Sequence, residues 1–288
     1  MPIVKYKIIF IGISLALVLA SLFLFSSFGL KQGIDFTGGT VIEVTYGNSE
    51  VPALDIVRFK EVNIEPYEIS NGYKFVSQLD YDSMTEKLKT IANTKDATYT
   101  ETQVITVGPT LGEEMKKKAV IAIAIVVLTI LAFIAFVFRE VSERVSSWKY
   151  GVIAMVTLLH DIIIAAGAYT LLSHYYGAEV NTLFVVALLT IMAVTISDKI
   201  VVFDRIRENL KVHRKDSFDE IVGISLSQTA VRSINTSLTI VLALLALYFV
   251  GPQATKFFSL TLMIGIVVGT YSSICVASTL LTVWNRKS

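Results

Sequence analysis

Asp198 and Lys199 are adjacent charges inside Val180–Phe203, a run with no other ionisable residue. An ionised side chain at membrane depth costs about 2.5–3.5 kcal/mol on insertion scales, so it is tolerated mainly where it faces a protein interior, a water cavity or a partner. Arg232 stands on the next apolar run, just before Ser233-Ile234-Asn235-Thr236-Ser237-Leu238, and could pair with Asp198 from a neighbouring helix. A carboxylate in such a place can take up and release a proton as its cavity opens to either side. The plainer alternative is a static ion pair that fixes helix register. Lys199 lies about 100° around a helix from Asp198. Its long stem is expected to snorkel toward the interface, with charge balance the other role open to it. His160-Asp161 forms a second ionisable pair, near the middle of the third apolar run. Consecutive helical residues point in different directions, so these two need not touch. A proton path or coupling role and the capping of a neighbouring helix's polar groups both remain open for them.

These residues need membrane helices to hold them, and the composition supplies them. Of 288 residues 53% are hydrophobic and only 17% charged, against about 25% charged in soluble domains. A spanning helix needs roughly 17–25 residues. Six runs reach that length: Ile8–Leu30, Ala119–Phe138, Tyr150–Ser173, Val180–Phe203, Arg232–Val250 and Phe257–Val283. The first is too long for the apolar core of a signal peptide and lacks a clear small-residue cleavage site, so it is expected to stay as an anchor. A net charge of +1 gives no reason to expect nucleic-acid binding. The single cysteine, Cys275, excludes an internal disulfide and a multi-cysteine metal site.

The basic residues give an orientation. Lys5 and Lys7, then Arg139, Arg144 and Lys149, then Arg205, Arg207, Lys211, Arg214 and Lys215, and finally Arg286 and Lys287 fall on one side if both termini are cytoplasmic. The exception is Lys116-Lys117-Lys118, at the foot of the second run. Residues 31–118 then form an extracytoplasmic domain between an anchor at 1–30 and a five-helix portion at 119–288 that includes a cytoplasmic loop at 204–231. In that outer domain Thr40–Tyr46, Tyr73–Gln78 and Thr98–Val107 read as strands, with turns at Gly47-Asn48 and Asn71-Gly72. Met84, Leu88 and Ile91 mark a helix over Tyr81–Asn93. Residues 48–70 are ambiguous. With 14 acidic against 10 basic residues the segment is mildly acidic, which reads as a solvated face.

In the loop, Ser217 with Glu220 resembles a capping box that starts a helix running into the fifth span. The loop's basic residues fix topology or contact anionic membrane lipids. Ser233, Asn235, Thr236, Ser237 and Thr239 on that span read as interhelical glue, and Gly265, Gly269, Ser273 and Ala277 as a small-residue packing stripe.

Four stretches together resemble the SecD/SecF family of protein-export membrane subunits, within the resistance-nodulation-division superfamily. They are Gly33-Ile34-Asp35-Phe36-Thr37-Gly38-Gly39-Thr40, Val107-Gly108-Pro109-Thr110-Leu111-Gly112-Glu113, Leu159-His160-Asp161, and Ser197–Asn209 followed by Arg232–Ser237. The last is the specific one. The resemblance implies a polytopic α-helical membrane protein: a six-helix half of a resistance-nodulation-division-like unit, with a small α+β extracytoplasmic domain in the cytoplasmic membrane. It implies a separate SecD-like subunit, the Sec channel and a translocating polypeptide as partners. It also implies coupling to a proton or sodium gradient, with Asp198 and Arg232 as the residues concerned. Lys199 departs from the small polar residue expected after that aspartate. Gly38-Gly39 allow a sharp reversal into the first strand. The resulting expectation is a non-enzymatic export subunit with no cofactor beyond the coupling ion and no metal. A transporter half for lipids or small amphiphiles, and a structural assembly factor of the translocon, remain alternatives.

Overall fold

The first helix, α1 (Lys7–Phe28), is apolar on every side. It leads into a short helix α2 (Ile34–Thr37) and a strand β1 (Gly39–Tyr46). These are followed by α3 (Ile56–Glu61), β2 (Glu65–Ile69), β3 (Gly72–Ser77), α4 (Tyr81–Ile91) and β4 (Tyr99–Val107). Five longer elements complete the chain: α5 (Pro109–Val137), α6 (Ser147–Tyr176), α7 (Thr182–Val212), α8 (Phe218–Val250), and α9 (Lys256–Tyr271), which runs through a π-helical stretch, Ser272–Ala277, into α10 (Ser278–Asn285). This computed structural model describes residues 4–46, 51, 54, 56–69, 71–91, 99–138 and 145–285. Six of its helices are long and apolar enough to cross a bilayer, and the chain is a multi-pass membrane protein.

The chain divides into two compact units. A helical unit gathers Met1–Leu30, Ala122–Ala178 and Leu183–Ser288, and an α+β unit gathers Lys31–Ile121 with Glu179–Thr182. In the α+β unit an antiparallel sheet has the order β2-β3-β1-β4. β1 is central, with Val41 opposite Val76 on β3 and Ile105 on β4. Its partner β4 carries one extra residue at Glu43/Val44, a bulge that keeps both ends in register. Ile42, Val44, Tyr46 and Phe75 face Met84 and Leu88 of α4 and close over Phe59 and Ile64. Three strands and a helix lie where the hydrophobic spacing predicts them. The ambiguous residues contain α3 and β2; β2 forms a hairpin with β3 in which Ile69 pairs with Gly72, so Gly72 opens the strand rather than lying in the turn. The Gly47-Asn48 turn lies outside the described residues.

In the helical unit the expected helix ends change. α7 continues beyond Phe203 to Val212, and with α8 beginning at Phe218, where the capping box places it, most of the anticipated loop at 204–231 is helix. The reason is an apolar seam that outlasts the apolar runs: Phe203, Ile206 and Leu210 on α7 and Ile221, Val222 and Leu226 on α8 are all buried. Asn209 amide donates to Ser225 Oγ at 2.8 Å and Gln228 Oε1 at 2.9 Å across that seam. The Ser217–Glu220 capping box is present in both directions and starts α8 as predicted. At the other helix start, α5 opens at Pro109, where the missing N–H leaves no intrahelical bond unmade.

Candidate functional site

The three charged residues stand near the centres of their helices. Asp161 lies close to the midpoint of the 30-residue α6, Asp198 to that of the 31-residue α7, and Arg232 to that of the 33-residue α8. Asp198 is therefore at mid-helix, rather than one short turn or so from an end as the apolar run alone indicates. α9 packs against α6 and α8. It approaches α7 closely because of its glycines: a Cβ on Gly265 would stand 2.2 Å from Ile191 Cδ1, and one on Gly269 2.0 Å from Thr195 Cγ2. The small-residue stripe is thus a packing surface, with Ser273 and Ala277 buried along it.

Adjacent positions on α7 send Lys199 and Asp198 to different neighbours. Lys199 is fully buried, and its Nζ stands 2.5 Å from Asp161 Oδ2 on α6. The other oxygen, Oδ1, is 2.9 Å from His160 Nδ1. A carboxylate only accepts, so Nδ1 carries the hydrogen of that bond. One expectation is corrected here, and one open question is answered. Lys199 does not snorkel, because its side of α7 faces α6 and the Asp161 carboxylate, and a buried ion pair forms where both partners are already withdrawn from the interface. His160 and Asp161 do touch, because the imidazole folds back along the helix onto its neighbour.

Asp198 is only half engaged. Ser233 Oγ of α8 donates to its Oδ1 at 2.5 Å, while Oδ2 is buried without a hydrogen-bond partner. Among the described residues no ion pair joins Asp198 to Arg232. Instead both line a groove of about 380 Å³ between α7, α8 and α9, together with Thr195, Thr236, Ser237 and Thr270. Arg232 is exposed on α8. The direct Asp198–Arg232 pair that the sequence suggests is not formed; the two residues line a common groove instead.

Three further residues belong to this arrangement. Ser233 reads in the sequence as helix glue, and nothing marks it as the donor to Asp198. Ser272 and Ser273 open the π-helical stretch, one beside Asp161 and the other beside Asp198. Their hydroxyls donate to the Gly269 carbonyl at 3.1 and 2.7 Å. Single π turns recur at functional sites because the extra residue re-aims neighbouring side chains. Among the described residues no group of three or more His, Cys, Asp or Glu is placed to hold a metal ion.

The glycine motifs meet in the α+β unit. Gly38 and Gly39 have φ of 74° and 132°. A Cβ on Gly38 would lie 2.8 Å from Pro109 Cα, and one on Gly112 2.8 Å from Gly38 N. Gly39 is as tight, with Ser77 O 2.2 Å from its Cβ position. Gly108-Pro109 and Gly38-Gly39 thus form one backbone junction between the start of β1 and the start of α5, where Gly38, Gly39 and Gly112 leave no room for a side chain. Gly33 and Asp35 lie apart from that junction and reach Val180 and Thr182.

Residues 87–287 match the family model for the C-terminal region of the protein export membrane proteins SecD/SecF, and residues 23–50 match the SecD/SecF GG motif. The protein translocase subunit SecF of Thermobaculum terrenum is 38% identical, over 99% of this chain and 94% of its own length. The SecF of Anaerolinea thermophila is 33% identical, over 96% and 92%. The crystal structure of SecDF from Thermus thermophilus, a translocon-associated membrane protein, has a TM-score of 0.84 at 33% identity. That match takes in 99% of this chain and 39% of the longer SecDF chain. A SecDF structure in a super-membrane-facing form gives a lower TM-score, 0.69. With a family model covering most of its length and SecF relatives along all of it, the chain belongs to the SecD/SecF family of protein-export membrane proteins.

Proposed function

We propose that this chain is an auxiliary subunit of Sec protein translocation in which Asp198 takes up and releases the coupling ion. It works in the cytoplasmic membrane with both termini inside. The observation that carries this reading is the unpartnered Oδ2 of Asp198, at mid-helix and beside a groove shared with Arg232. A cation exposed on an apolar helix must face water or a protein partner, because hydrocarbon would penalise it by several kcal/mol. The groove is accordingly the place for a second six-helix half, and a SecD-like subunit fits it, since relatives that fuse SecD and SecF hold both in one chain. The Sec channel and the emerging polypeptide complete the assembly.

One charge crossing 100 mV supplies about 2.3 kcal/mol, so repeated ion uptake at Asp198 can bias a conformational cycle. Protons are the simpler coupling ion, since a bare carboxylate oxygen needs no coordination cage to accept one; sodium remains the alternative. The test is Asp198→Asn in vesicles carrying the complete complex: gradient-dependent export is lost while the complex still assembles. Undiminished export would refute the reading. A purely structural assembly factor would rest instead on the Asp161–Lys199 pair. It predicts that Arg232→Met is silent while Gly269→Leu, which drives a side chain into Thr195, abolishes assembly.

A further inference from the structure

Residues Glu179–Thr182 connect α6 to α7, yet they belong to the α+β unit, and the boundary between units falls after Thr182, inside the first turn of α7. Three bonds hold them there. Val180 N–H donates to the Lys31 carbonyl at 2.8 Å, and Gly33 N–H donates to the Val180 carbonyl at 2.9 Å. Between those bonds Gln32 and Val180 form a parallel bridge. The third bond runs from Thr182 N–H to Asp35 Oδ2 at 2.9 Å.

The Asp35 contact has a specific character. It satisfies one of the N–H groups that the start of an α-helix leaves without an intrahelical acceptor, and it sets a carboxylate at the positive end of the helix dipole. The cap comes from 147 residues away in sequence, where a residue next to the helix usually serves. Gly33 makes the approach possible, since a Cβ there would sit 3.3 Å from both Val180 O and Glu179 Cβ. Neither the sheet nor its apolar core includes these residues. The helix they begin runs without interruption through Asp198, so about 24 Å of rigid rod, at 1.5 Å per residue, separates the cap from the ion site.

We propose that Asp35 is a positioning residue: by capping α7, together with the Gln32–Val180 bridge, it makes the α+β unit follow α7, so that ion exchange at Asp198 is delivered to that unit along the helix axis. This rests on the ion-coupled reading above. It gives the acidic residue of the glycine motif a task that the tight turn at Gly38-Gly39 does not require. The link stays closed throughout the cycle, because a tie that opened would let α7 shift without moving the α+β unit.

Two experiments on the complete complex in vesicles test it. In Asp35→Ala, proton flux stays within about twofold of the unmodified complex while gradient-driven export falls about tenfold, the size of an ordinary coupling energy between sites. Asp35→Asn keeps an acceptor for Thr182 N–H and restores most of the export. Normal export in Asp35→Ala, or equal loss of flux and export, overturns the proposal. The second experiment introduces Gln32→Cys and Val180→Cys after replacing the single native Cys275 by serine. Export is the same with the disulfide formed or reduced; loss on oxidation that a reductant reverses shows that the tie must open, and overturns the proposal. Absence of proton flux in the unmodified complex would defeat the ion-coupled reading instead, and the cross-link would still judge the tie.

Discussion

The two mid-helix carboxylates differ in how completely the protein has answered them. Asp161 is wholly buried, with one oxygen on the Lys199 ammonium and the other on His160. Asp198, one residue from Lys199, accepts from the Ser233 hydroxyl at one oxygen, has Ser273 beside it and leaves Oδ2 without a partner, next to a groove with an exposed arginine. On the proposed reading, the difference separates a structural carboxylate from one that exchanges the coupling ion. A carboxylate whose lone pairs and charge are both matched has nothing to gain from a new proton, and a half-matched one does. Lys199 is what makes the distinction, because its Nζ contacts the Asp161 carboxylate on α6 and makes no ion pair with Asp198.

The comparison can be broken from the paired side first. Lys199→Met leaves Asp161 as a buried charge without its cation, and removal of one partner of a buried pair costs about 3–5 kcal/mol. Thermal unfolding of the detergent-solubilised chain should show that loss. Lys199→Met combined with Asp161→Leu should recover most of it. A single variant as stable as the parent would mean that Asp161 does not carry a charge in the folded protein.

The next largest effect comes from the wall between the two sites. Gly269→Ala puts a methyl 2.0 Å from Thr195 Cγ2 and 3.7 Å from Asp161 Oδ2. Overpacking of this kind costs about 1–3 kcal/mol, measurable by the same unfolding, and it widens the α7–α9 approach beside Asp198. Gradient-driven export should fall with it. Full stability in Gly269→Ala would show that α9 sits farther from α7 than described.

The smallest effect lies outside the membrane helices, at Glu179. Burial pushes its carboxyl above the ordinary range, with Lys74 opposing, Glu65 adding to the rise, Lys31 opposing and Asp35 adding. A carboxyl raised on folding gives stability that is fully present below its unfolded pKa and is lost as pH rises through the folded value. Amide protection at Val180 and Thr182 should therefore weaken, relative to Glu179→Gln at the same pH, as pH climbs past the usual carboxylate range. Parallel behaviour of the two proteins across pH would contradict the raised value.

Much of this was legible in the residues, and what was not has identifiable causes. Long uninterrupted apolar runs mark six spans without ambiguity, and Met84, Leu88 and Ile91 place α4, because each pattern follows from one helix or strand alone. Helix ends were missed where polar residues continue a helix on a buried seam: Ile206 and Leu210 carry α7 forward among Arg205, Arg207 and Glu208. The motifs singled out Asp161, Asp198 and Arg232 as residues of interest, without saying how they meet. Which cation meets which carboxylate was not readable, because it depends on the rotation of α7 against α6 and α8, and adjacent residues diverge by about 100°. Lys199 looked free to reach the interface for that reason. The π-helical stretch at Ser272–Ala277 has no residue code at all, so the approach of two consecutive serines to the two carboxylates comes only from the packed structure.

The most direct measurement is infrared difference spectroscopy of the carboxylic-acid C=O stretch during a pH titration of the purified complex in membranes, comparing the parent with Asp198→Asn and Asp161→Asn. A pH-responsive band that shifts in heavy water and vanishes only in Asp198→Asn is the predicted result. Persistence of that band in Asp198→Asn, or its disappearance in Asp161→Asn, would contradict the assignment of proton exchange to the half-matched carboxylate.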